Sequence, residues 1–263
     1  MSKKTKLLIG TILVICILAG VIIYGIKSAN SRKLTFHFSD EIINYLKTVR
    51  PDHLAFTCSE KLYPMLREND FYEFSRLLVW AQADYKQVKI SHNDILRSII
   101  LKDLVYTDIP CEEALSRESL NRTVKAFAAK KISKFILLCR EDFYERMTVE
   151  HLLERTTAKH GIESYAAEYS IYPGVLEVTD IKYFEQPYTT VEDAESFAAA
   201  IQAYSAEGTA DFYIIPEPDF FDNITSESKE MKDVIKNAGI SSYKEDIDKD
   251  RCLIHFSDVI FEN

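Results

Sequence analysis

The chain has 263 residues with 32 basic and 41 acidic side chains, a formal charge of −9, and only seven glycines. Six of the basic residues and no acidic one lie in residues 1–33, so residues 34–263 hold 26 basic against 41 acidic side chains, a charge of −15. That surface repels phosphate backbones and argues against a nucleic-acid partner, and no GxxxxGK[ST], GxGxxG or GxSxG motif occurs.

In chain order, the first feature is an uncharged run over residues 7–26, flanked by Lys3, Lys4 and Lys6 before it and Lys27, Arg32 and Lys33 after it. Twenty residues of helix rise about 30 Å, the thickness of a bilayer's hydrocarbon core. The run exceeds the apolar region of a cleaved signal peptide, and no small-x-small site closes it. Ile15 before Cys16 does not suit a lipoprotein. The expectation is a signal-anchor: residues 1–33 as cytoplasmic tail, single-pass transmembrane helix and linker, with the membrane as partner through 7–26 and the body extracytoplasmic.

The body shows a repeat of roughly 77–81 residues. Leu101-Lys102-Asp103-Leu104-Val105-Tyr106 returns as Val178-Thr179-Asp180-Ile181-Lys182-Tyr183 and as Phe256-Ser257-Asp258-Val259-Ile260-Phe261, with the aspartates 77 and 78 residues apart. Gly161-Ile162-Glu163-Ser164-Tyr165 matches Gly239-Ile240-Ser241-Ser242-Tyr243, while the first copy has only Ala83-Asp84-Tyr85 there. Apolar runs ending at Cys58, Cys139 and Pro216 form a third match. The predicted modules are 34–108, 111–188 and 189–263.

Each module reads as helix–strand–helix–strand–strand. Leu120, Val124 and Phe127, like Phe197, Ile201 and Tyr204, fall at helical spacing. A second helix, over 149–159 and 226–237, should stop at Gly161 and Gly239, because a helix C-terminus favours a left-handed residue. Turns at 91–94, 172–174 and 248–250 should join the last two strands. The predicted fold class is therefore α+β: a transmembrane helix, then three tandem αβαββ repeats, each a three-stranded sheet with its helices on one face. Residues 107–114 and 186–190 read as short connectors of a stiff stalk.

Chemistry is sparse in the pattern. Cys58 and Cys139 share one repeat position at a strand end, with no histidine recurring nearby, so both read as buried structural residues rather than nucleophiles. The histidines are scattered, no zinc spacing appears, and the Asp246-x-Asp248-x-Asp250 run lacks the glycine and final carboxylate of a calcium loop. No cofactor or metal is expected. Asp103, Asp180 and Asp258 read as structural, along with Gly161 and Gly239, and no polar cluster stands out as belonging to one module alone.

The Asp-hydrophobic-x-Tyr/Phe strands, Asp103-Leu104-Val105-Tyr106 and Asp180-Ile181-Lys182-Tyr183, resemble the repeated α+β region ahead of transglutaminase-like domains in membrane-anchored surface proteins of Firmicutes. The resemblance covers residues 34–263. It implies a cell-envelope setting with another envelope protein or polymer as partner. The Cys-His-Asp catalytic domain of those proteins is expected to be absent, so no catalytic residue carries over. The resulting expectation is a non-enzymatic binding or spacer module. The alternative is an enzyme or small-ligand receptor whose site forms where repeats meet.

Overall fold

The computed structural model describes residues 34–36, 39–68, 72–170, 174–222, 224 and 229–262. The chain divides into two compact units, residues 1–108 and 109–263. In the first, β1 (Leu34–Phe36), α1 (Ser39–Val49), β2 (Leu54–Cys58), α2 (Leu62–Glu68), α3 (Tyr72–Trp80), β3 (Lys89–Asn93) and β4 (Ser98–Lys102) form one sheet in the order β1-β2-β4-β3.

The second unit holds two such modules. One contains β5 (Cys111–Glu113), α4 (Arg117–Ala129), β6 (Phe135–Leu138), α5 (Glu141–Val149), α6 (Leu152–Lys159), β7 (Ile162–Ser170) and β8 (Val175–Tyr183), ordered β5-β6-β8-β7. The other contains β9 (Tyr188–Val191), α7 (Ala194–Glu207), β10 (Phe212–Pro216), α8 (Pro218–Phe221), α9 (Lys229–Asn237), β11 (Ile240–Asp248) and β12 (Leu253–Phe261), with its sheet ordered β9-β10-β12-β11.

Three expectations are corrected. Each sheet has four strands rather than three, because β1, β5 and β9 precede the first helix and pair parallel to β2, β6 and β10. β5 and β9 lie in the segments read as connectors. At three and four residues, they are too short to show an alternating pattern. Second, the helical stretch before β7 is two helices, with His151 between them in the left-handed region at φ 50°. Third, the membrane-spanning helix does not stand as part of this fold. Among the described residues no helix is long and apolar enough to cross a membrane. The longest, α7, has 14 residues and carries Glu195 and Glu207, whereas a span needs about 20 apolar ones. The segment 7–26 lies outside the described residues.

Both crossovers in a module, from the first strand to the second and from the second to the edge strand, run the same way across the sheet. A common hand therefore places their helices on one face. The cores agree. Leu120, Val124 and Phe127 of α4 and Phe143 and Met147 of α5 pack with Phe135, Leu137, Leu176 and Val178 of the sheet. In the last module Phe197, Ile201 and Tyr204 cover Phe212, Ile214 and Phe256. The helix starts are set locally: Ser116 with Ser119 and Asp193 with Ser196 form capping boxes, satisfying amides the helix leaves open.

Candidate functional site

The repeated aspartates have a backbone role. Asp103, Asp180 and Asp258 all adopt left-handed conformations, at φ 60°, 52° and 52°. This is a region that aspartate tolerates better than most side chains. In β7–β8 and β11–β12 the register slips there, Ser164 pairing with Lys182 but Ala166 with Thr179, and Ser242 with Ile260 but Lys244 with Ser257. The extra residue of this bulge is the aspartate or its successor. The slip turns the next amide across the sheet: Leu104, Ile181 and Val259 donate to the carbonyls of Asp52, Ser133 and Ala210. Their side chains are buried. Two of the carboxylates meet a lysine on the paired strand, Asp103 with Lys89 at 2.7 Å and Asp258 with Lys244 at 2.6 Å. The lysine hydrogen bond holds each carboxyl below its usual range. In the middle module Ala166 stands at the lysine's place, and Asp180 accepts from Thr179 at 3.3 Å instead.

Gly161 and Gly239 have φ of 80° and 77°. Their carbonyls accept from Phe184 and Glu262 after the closing strand. Gln82 does the same in the first module: φ 60°, with its carbonyl accepting from Thr107 at 2.7 Å. Sequence comparison missed it because glutamine does not signal a left-handed turn. The two glycines differ in surroundings. A Cβ on Gly161 would meet the Tyr188 hydroxyl at 2.6 Å and its ring carbon at 2.8 Å, while one on Gly239 would meet nothing within 4 Å.

Cys58 and Cys139 are buried and unbridged at the ends of β2 and β6. Burial pushes the Cys58 thiol up to about 11. Their amides donate to Arg97 and Gly174, the left-handed residues of the hairpin turns. In the first module that turn falls beyond Asn93, three residues later than predicted. Among the described histidines, His151 faces Asp250 at 3.5 Å, His160 meets Asn121 at 2.7 Å, and His255 meets Asp211 at 2.7 Å. No group of three or more His, Cys, Asp or Glu among the described residues could hold a metal.

The arrangement with chemical potential lies elsewhere, in residues 109–263, where the second and third modules meet. A groove of about 390 Å³ is bounded by Arg117 and Asn121 of α4, Arg155 and Lys159 of α6, Glu217 and Asp219 after β10, and Arg251 and Cys252 of the β11–β12 turn. Around it the modules are clamped. Arg251 donates to the carbonyls of Ile162 and Glu163 and its guanidinium lies 5.9 Å from the Phe184 ring. Phe184 in turn packs against Tyr213 at 4.4 Å. Lys159 pairs with Glu217 across the boundary, and within the second module Arg117 pairs with Glu150. Burial pulls the Arg251 pKa below the ordinary arginine value, and burial raises that of Cys252.

Four cations against two carboxylates make this groove locally basic in an acidic chain. Its side chains on the second module do not recur in the third: aligning the capping boxes and Gly161 with Gly239 sets Arg117, Asn121, Arg155 and Lys159 against Ala194, Ala198, Asp233 and Asn237, while counting back from Gln82 in the first module sets Arg76 at the place of Arg155. This corrects the expectation that no polar cluster belongs to one module. The signal was present in the sequence, as a difference between copies rather than a match.

No family model matches the chain, and no curated protein is similar to it at a significant level.

Proposed function

We propose that this protein is a non-enzymatic binding module, an array of βαβαββ repeats that presents a recognition groove where two repeats meet. The observation that carries the reading is the groove itself. It is formed by α4 and α6 of one module and the β10 end and β11–β12 turn of the next. Arg117, Asn121, Arg155 and Lys159 of the second module give way to Ala194, Ala198, Asp233 and Asn237 in the third, so the fold those two repeats share does not require them. The clamp of Arg251, Phe184 and Tyr213 supports a preformed surface, and preformed surfaces avoid the ordering cost of binding. The low thiolate fraction of Cys58, whose thiol is pushed up to about 11 by burial, supports the structural reading of that residue. The resemblance noted from sequence supports another envelope component as the partner.

The test is retention of native partners by the full chain against its Asn121→Trp variant. Asn121 is exposed on α4 at the groove, so an indole there fills the groove without entering a core. Loss of the captured material in the variant is expected. Identical capture by both proteins would place recognition elsewhere.

A further inference from the structure

We infer that the groove between the second and third modules is a receptor site for an oxyanion, a phosphate or carboxylate group, gripped chiefly by Arg155. This rests on the binding-module reading and names the ligand's chemistry. Three of the four groove cations have partners within the protein: Arg117 has Glu150, Lys159 has Glu217, and the two terminal nitrogens of Arg251 have the carbonyls of Ile162 and Glu163, although its Nε is enclosed without an acceptor. Arg155 differs. It is half-buried, its Nε is enclosed without a hydrogen-bond partner, and it forms no ion pair within 4 Å among the described residues, its charge reaching Glu150 only from farther off.

An enclosed guanidinium N–H with no acceptor is costly, and the cost is removed when an acceptor arrives. A planar guanidinium grips a two-oxygen anion through paired hydrogen bonds, a geometry that a carboxylate or phosphate supplies and chloride does not. Asn121 adds to the grip. Its Oδ1 is engaged by His160 at 2.7 Å, which leaves the amide N–H groups as donors at the groove. The remaining lining includes Leu152, Ile215, Pro216 and Pro218, an apolar share that suits a small organic body attached to the anionic group.

The two sources are separable by titrating the full chain calorimetrically with inorganic phosphate and with acetate, at an ionic strength fixed with chloride. Saturable binding at one site is expected with at least one of them, and the tighter of the two names the group. Arg155→Gln should weaken it about tenfold, the equivalent of about 1.4 kcal/mol. Asn121→Asp, which sets a negative charge at the rim without touching a core, should weaken it as well. Arg122→Gln, exposed and outside the groove, should leave it unchanged. No saturable binding of either anion by the wild type, or equal binding by Arg155→Gln, overturns the inference. If it is overturned while Asn121→Trp still abolishes partner capture, the anion chemistry is wrong and the binding-module reading survives. If the Trp variant captures the same material, that reading falls instead.

Discussion

Gly161 and Gly239 offer a controlled comparison, because they share a backbone conformation and differ in what surrounds them. Alanine at either position must hold φ near 80°, which costs about 1–2 kcal/mol in the left-handed region. At Gly239 nothing else is asked, since a Cβ there meets open space. At Gly161 the new methyl would sit 2.6 Å from the Tyr188 hydroxyl and 2.8 Å from its ring. Tyr188 or the backbone must therefore shift, an overpacking penalty of about 1–3 kcal/mol. Gly239→Ala should lose about 1–2 kcal/mol and Gly161→Ala roughly 2–5 kcal/mol by this reasoning. Urea denaturation followed by circular dichroism measures both; the single tryptophan, Trp80, lies in the first unit and would report on the other part of the chain. Removing the obstacle should recover the difference, so Tyr188→Ala ought to be less harmful in the Gly161→Ala background than in the wild type. Equal losses at the two glycines, or additive behaviour in that double mutant, would refute the contact between Gly161 and Tyr188.

Gln82→Gly should stabilise the first unit by about 0.5–1 kcal/mol, the relief of a left-handed residue less the entropy glycine adds to the unfolded chain; Trp80 fluorescence in urea would read it directly. Asp258→Asn should leave the midpoint nearly unchanged, whereas Asp258→Val should lower it, because valine resists the bulge's left-handed backbone. His160 is held below its ordinary value of 6.5, first by burial and then by Lys125 and Lys159. The unfolded chain therefore takes up the proton first, and stability should fall as pH drops below about 6.5 toward the folded value. His160→Gln should flatten that slope in urea titrations between pH 7.5 and 5.5. In thiol-labelling kinetics resolved by peptide mapping, half-buried Cys111 should react before the buried Cys58, Cys139 and Cys252.

The parts legible in the sequence were those that several repeats state together. Helix faces such as Leu120, Val124 and Phe127 appear because apolar spacing is a property of one segment. The aspartates appear because three copies carry them, although only the backbone shows that they turn the chain rather than protect an edge. The first strands were missed since Cys111-Glu112-Glu113 has too few residues for a period and pairs with a strand 25 residues away. The groove was missed for a different reason: comparing repeats rewards sameness, and Arg117, Asn121, Arg155 and Lys159 are where the second module departs from the third. A site of this kind is written in the residue of the alignment, after the shared fold has been subtracted.

The Arg251 clamp also bears on how neighbouring copies avoid exchanging parts. β7 is the last strand of its sheet, and the free side of such a strand is a template for another strand, above all one from a look-alike module on the same chain or on a second molecule. By donating to the carbonyls of Ile162 and Glu163, the guanidinium occupies acceptors that an incoming backbone would need. One side chain in the turn of the third module thus guards the border of the second, and a lesion there should show as swapped or polymerised chains as well as a lower melting point.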